Sequence, residues 1–157
     1  IEYEYFVNQS FYLITYNLRY FLVVLNPTKH TKNFYSYLDE LSGLDFIFKD
    51  KIININQLIE HNLSDKHYKI IRAKFCSVAL SESSKATIEI SSSTNAINDF
   101  IKTFGDIYYE ISKAKLVLST EKYKDLDLDI SKTGLIQTSK LNSINVNEIK
   151  KLLEILY

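Results

Sequence analysis

The stretch YKIIRAKFCSVALSESSKATIEI, residues 68–90, decides what kind of fold the rest of the chain can join. Read as a helix, it puts Tyr68, Ile71, Phe75 and Val78 on one face; read as a strand, it aligns Cys76, Val78 and Leu80. The polar loop Ser81 to Lys85 and the alternating Thr87-Ile88-Glu89-Ile90 beyond it favour the strand, so a β-hairpin is expected here. Upstream, Glu2 and Glu4 alternate with Ile1, Tyr3 and Tyr5 as in a half-buried strand. Two β-rich runs, Ser10 to Tyr16 and Tyr20 to Asn26, flank a turn at Asn17, and Pro27 stops the second. Thr31 is placed to cap a helix carrying Phe34, Leu38 and Leu41, which Gly43 ends. Leu44 to Phe48 and Ile52 to Ile55 read as strands, and Gln57 to Leu63 as a turn or two of helix.

Downstream, Thr94 is expected to cap a helix with an apolar stripe of Ile97, Phe100, Ile101 and Phe104, closed by Gly105. Ile107 to Ser119 reads as a strand interrupted near Ser112-Lys113. Leu126, Leu128 and Ile130 alternate with aspartates as another, continued by Leu135-Ile136. The last element is a helix over about 146–156, with Asn145 and Glu148 as a capping box and Ile144 facing Ile149. The sum is an α+β fold, an antiparallel or mixed sheet with two to three helices packed on it. The order from Tyr20 to Ser119 is compatible with a ferredoxin-like, split βαβ arrangement carrying insertions.

The chain has 157 residues, a length that suits one domain over 1–157, and roughly 70% of its unfolded surface is removable from water at that size. With 13% aromatic residues, three Gly and one Pro, it is neither a disordered tail nor a linker. Lys+Arg and Asp+Glu both number 19, which excludes an overall polyelectrolyte. The wealth of Lys, Ile, Asn and Tyr follows A/T-rich codons, as in a low-GC bacterium, its phages or plasmids, or a large DNA virus. Cys76 is the single cysteine, so no intrachain disulfide forms and a reducing cytoplasm is expected. The chain starts at Ile1 and has no Met, as a piece of a longer or processed protein would. Phe11 to Leu25 is too short and too polar, with Asn17 and Arg19, for a membrane span, which needs about 20 apolar residues.

Catalytic and metal patterns fail on spacing. Asp125-Leu126-Asp127-Leu128-Asp129 starts like a calcium loop, but Ile130 and Ile136 stand where Gly and a bidentate Glu are required. His30, His61 and His67 have no zinc-ligand spacing with each other or with Cys76, so no metal is expected. Glycines at 43, 105 and 134 form no phosphate-binding loop, and no cofactor is implied. Glu148-Ile149-Lys150 has nuclease-like spacing, which the cap already explains. Cys76 with His67 and Asp65 is the least poor nucleophile–base set, in an apolar run that suits a buried thiol better than a reactive one.

No catalytic residues are assigned, and the reading leans away from an enzyme. The first expectation is a non-catalytic protein–protein interaction module or accessory subunit, with self-association or a protein partner. Its contact would be the broad apolar helix surface of Ile149, Leu152, Leu153, Leu156 and Tyr157. The alternative is nucleic-acid binding by the basic stretch 66–74, through Lys66, Lys69, Arg72 and Lys74. A third is an enzyme whose site assembles from dispersed residues.

Overall fold

The computed structural model describes residues 8–43, 48–62, 68–118, 126–138, 146–147, 149–150 and 153. The chain divides into two compact units, Ile1–Lys49 with Asn145–Glu154, and Asp50–Ile144 with Ile155–Tyr157. In the first unit, strands β1 (Phe11–Tyr16) and β2 (Arg19–Val24) form an antiparallel hairpin. Its turn is Asn17-Leu18, both left-handed at φ +48° and +58°, the two-residue turn whose twist matches that of the strands. Helix α1 (Thr31–Ser42) follows, and Gly43 ends it in the left-handed conformation (φ +58°) expected of it. Thr31, expected as the cap, is instead the first helical residue. Its hydroxyl already accepts from the Thr28 N–H at 2.9 Å, and His30 takes the cap position without a side-chain capping bond to the helix N–H groups. Phe34 meets Phe11 at 5.2 Å between ring centroids, and Tyr35 stacks on Phe48 at 5.4 Å. Leu41, expected on the apolar stripe, is exposed.

The second unit holds a five-stranded antiparallel sheet in the order β4-β3-β5-β6-β7. The hairpin expected over residues 68–90 is present, β3 being Tyr68–Ala79 and β4 Lys85–Ser91, but not the expected face of Cys76, Val78 and Leu80: a bulge at Ser77 separates half-buried Cys76 from buried Val78, and Leu80 lies exposed beyond the strand. Strands β5 (Glu110–Leu118), β6 (Leu126–Ser131) and β7 (Ile136–Thr138) complete the sheet. Helix α2 (Ile55–Asn62) packs on β5, and α3 (Ala96–Phe104) packs on β3 and β4. Strands β4 and β5 both run antiparallel to β3 between them, so they are parallel to each other, and with α3 they form one split βαβ unit. A ferredoxin-like fold needs two such units. Here the chain continues instead as the antiparallel succession β5-β6-β7.

Local chemistry explains the departures from sequence expectation. The stretch Ile52 to Ile55 is not a strand: the Asn54 side chain accepts from the Gln57 N–H at 3.1 Å and starts α2 at Ile55. Helix α3 is capped one residue later than expected, by Asn95, whose Oδ1 accepts from the N–H groups of Ile97 and Asn98 at 2.9 and 3.3 Å. Gly105 closes that helix as expected, donating to the Ile101 carbonyl at 2.8 Å. The interruption at Ser112-Lys113 is a β-bulge, and the Ser112 hydroxyl donates to the Lys74 carbonyl at 3.2 Å across it. A second bulge, opposite β4, puts Ser77 at φ +56°. Gly134, at φ +84°, lies against the Lys51 carbonyl, where any Cβ would stand 2.6 Å from the oxygen. The expected strand 44–48 and the capping box at 144–148 fall largely outside the described residues.

One sheet face carries the core: Ile70, Ala73, Phe75 and Val78 of β3, Ile111, Ala114 and Leu116 of β5, and Leu128 and Ile130 of β6 are buried. Ala96, Ile97 and Phe100 of α3 and Ile55, Leu58 and Ile59 of α2 are buried as well. Phe100 stacks on Phe75 with centroids 4.0 Å apart, and Tyr109 meets both rings edge-on at 4.9 and 5.3 Å. Phe100→Ala is therefore expected to destabilise the protein by about 3–5 kcal/mol in chemical denaturation, and Phe100→Leu by markedly less. A loss below about 1 kcal/mol for the alanine variant would contradict this packing.

Candidate functional site

The opposite face of the five-stranded sheet is open and charged, as the alternation of the strands requires. Lys69, Arg72 and Lys74 of β3, foreseen as a basic stretch, lie along it, while Lys66 falls outside the described residues. The fold adds two cations that reading by stretch missed. Lys115 stands opposite Arg72, and Lys113 opposite Lys74, on β5. Their signal was the alternation Lys113-Ala114-Lys115-Leu116, with alanine and leucine inward. Like charges directly opposed across strands repel, and neighbouring strands supply the counter-charges. Lys113 Nζ is 3.3 Å from Asp129 Oδ1, and Lys115 Nζ is 3.2 Å from Asp127 Oδ2, both on β6. Arg72 Nε is 3.8 Å from Glu89 Oε1 on β4. Asp129 Oδ1 is buried and makes no aligned hydrogen bond, so the Lys113 ammonium is its main compensation. Among the described strand residues of this face none is aromatic, and the exposed Tyr108 stands only at its end, so the face offers phosphate contacts with little base-stacking surface.

At one end of this face, Glu110 joins two groups. Its Oε1 accepts from the Tyr108 hydroxyl at 3.0 Å and its Oε2 from Lys132 Nζ at 2.9 Å. Those bonds, first to Lys132 and then to Tyr108, together with the Lys132 charge, hold the Glu110 carboxyl below its ordinary range. Lys132 and Tyr108 are both raised, chiefly by the same bonds to Glu110. Tyr109 is raised too, mainly by burial. The half-buried Cys76 thiol donates to the Glu110 carbonyl at 3.4 Å. Asp65 and His67, weighed with Cys76 as a nucleophilic set, lie outside the described residues, and the His61 side chain is not described. Among the described residues no group of three or more His, Cys, Asp or Glu side chains is arranged to hold a metal ion.

Among the described residues the two most exposed large apolar side chains, Leu18 and Tyr20, are on the hairpin. The β1–β2 register puts Phe11, Leu13 and Thr15 on one face with Val24, Leu22 and Tyr20. On that face Leu13 is 63% and Tyr20 78% exposed, and at the tip Leu18 is 98% exposed. Arg19, also exposed, stands between Leu18 and Tyr20, and among the described residues no carboxylate pairs with it. The sequence carried this signal in an unused form: FYLITY and RYFLVV are apolar at positions of both parities, so a hairpin built from them has an apolar surface on each side.

No protein-family model, no curated protein and no solved structure matches this chain. The C-terminal contact set is divided: Ile149 and Leu153 are 4% and 6% exposed, buried within the chain, and Leu152, Leu156 and Tyr157 lie outside the described residues. No described helix is long and apolar enough to cross a membrane.

The Glu110 bonds predict a pH effect. Because its pKa is lowered in the folded state, the pairing stabilises above the ordinary carboxylate range and is lost as pH falls through the lowered value. In an NMR titration Glu110 should ionise below an exposed model glutamate, and Lys132→Met should move it back upward. An unmoved titration in that variant would disprove the coupling.

Proposed function

We propose that this chain is a non-catalytic protein-interaction module that engages a partner protein through the β1–β2 hairpin. The carrying observation is the cluster Leu13, Leu18 and Tyr20, exposed on and beside a two-stranded sheet with Arg19 among them. Contiguous exposed apolar surface rimmed by polar groups is characteristic of protein contacts. Tyrosine and arginine are the residue types that dominate binding energy at such contacts. Leu18 adds a second support. A leucine at φ +58° is strained, and at 98% exposure it gains nothing from the fold that a glycine would not. The chemistry fits a partner with an apolar recess for Leu18 and Tyr20 and a carboxylate for Arg19. The single cysteine is consistent with work in a reducing compartment such as the cytoplasm.

A photo-crosslinker at Tyr20 identifies the partner, and calorimetry with that purified partner tests the reading. Leu18→Ser with Tyr20→Ala should weaken binding by about 30-fold or more with an unchanged circular dichroism spectrum. Arg19→Glu should weaken it further. Affinity indifferent to all three changes overturns the proposal.

The open charged face supports a second reading, nucleic-acid binding by Lys69, Arg72 and Lys74 joined by Lys113 and Lys115. The interleaved Glu89, Asp127 and Asp129 weigh against it, since they already occupy three of those cations. If it is right, single-stranded DNA binds at low salt, its affinity falls steeply with salt, and Lys69→Glu with Lys74→Glu abolishes it. Affinity that ignores salt or those substitutions rejects this second reading.

A further inference from the structure

Among the described residues no strand pairs with the outer edge of β4, which runs for seven residues, while the described part of β7 at the other edge is Ile136–Thr138. The alternation of β4 decides which backbone groups face outward. The Ser92 N–H donates to the Ile71 carbonyl at 2.9 Å, which brackets the pair Arg72↔Ser91 and makes it a non-hydrogen-bonded pair. Two residues along, Lys74↔Glu89 is of the same kind. Glu89 and Ser91 therefore turn their own N–H and C=O groups away from β3, and Thr87 does so by the same alternation. Edges of this sort are usually blunted by proline, bulges or charged side chains, lysine above all. Here β4 has no proline, and its two charges are opposite: Lys85 at one end and Glu89 near the other. On the core side, Ala86, Ile88 and Ile90 remain only half-buried, although their counterparts on the central strands are fully covered.

We propose that a second copy of the chain pairs with this edge, antiparallel, across a two-fold axis between the two Ile88 residues. The symmetric registers that oppose the outward-facing backbone groups differ in overlap and in charge: centring on Ile88 pairs all seven residues of β4, whereas centring on Thr87, which sets Lys85 directly opposite Glu89, or on Glu89 pairs only five, and centring on Ile90 three. Centring on Glu89 sets two carboxylates face to face, which is repulsive. Centring on Ile90 carries Lys85 past the end of the second strand. Centring on Ile88 sets Glu89 opposite Thr87 of the second copy and Lys85 opposite its Ser91. Each lysine is then diagonal to the other copy's Glu89, within reach of long side chains. On the core side, Ile88 meets Ile88 and Ala86 meets Ile90, covering the apolar surface that a single copy leaves half-open. The two sheets become one continuous ten-stranded sheet, a closed isologous contact.

Sedimentation velocity over a wide concentration range tests this. Wild type should shift from monomer to dimer as concentration rises. Lys85→Glu alone and Glu89→Lys alone should each associate about tenfold more weakly. An equimolar mixture of the two should regain dimer, because the glutamate of one then faces the lysine of the other. In a Cys76→Ser background, Ile88→Cys should give a disulfide-linked dimer on oxidation, since opposed non-hydrogen-bonded residues stand about 4.5 Å apart at Cα. Ile90→Cys should not. A wild type monomeric at every concentration overturns the proposal. So does association that neither charge reversal weakens, or that is lost only with the hairpin substitutions Leu18→Ser and Tyr20→Ala. The last result would leave the hairpin reading standing.

Discussion

The stack of Phe100 on Phe75 is the contact on which the larger unit depends. Both rings are fully buried, and the edge-on Tyr109 ties them to the segment that leads into β5. The stack fixes α3 against β3, and α3 is also the connection from β4 to β5. The helix that supplies the core aromatic therefore carries the chain across β3, and the split βαβ arrangement and its packing are one constraint. Asn95 and Gly105, capping the two ends of α3, set how much helix is available to reach across.

Committing one sheet face to this cluster leaves the other to water, and the central strands answer with charge. Five cations on β3 and β5 are flanked by carboxylates on β4 and β6, so that repulsion between neighbouring lysines is met from both sides. Exposed pairs of this sort contribute little each, about 0–1 kcal/mol. Their value here lies in register. A one-residue slip would turn Lys113 and Lys115 into the core and Ala114 and Leu116 out of it. The bulges at Ile71, Ser112 and Ser77 let the long β3 strand keep its apolar residues inward while its partners change alignment.

Much of this was legible in the sequence because it is local. The alternation of residues 85–91 and 126–131, the glycine stops at 43 and 105, and the interruption at Ser112 are each set by neighbouring residues. What escaped was decided at long range or by competition between adjacent caps. Asn54 and Asn95 displaced a strand and a Thr cap respectively because a side-chain amide oxygen reached the helix N–H groups. Lys113 and Lys115 belong with Arg72 and Lys74 only once β5 lies beside β3, a pairing no stretch of sequence states. The basic set read along the chain thus found half of a feature that runs across it. The hairpin's exposed face was harder still: an apolar run reads as core, and only the fold shows which side is left uncovered.

The two open apolar features differ in what the chain itself gains from them, and that difference separates their roles. On β4, the half-buried Ile88 and Ile90 belong to the core pattern of their sheet. They would be needed there whether or not anything paired with the edge, so they testify to association only through the backbone groups and opposed charges beside them. On the hairpin, Leu18 has no such alternative explanation. It occupies a left-handed position where glycine or asparagine is favoured, and its side chain is in water. The proposed foreign partner therefore rests on the hairpin tip, and the proposed second copy on the strand edge, which is self-complementary along its own length.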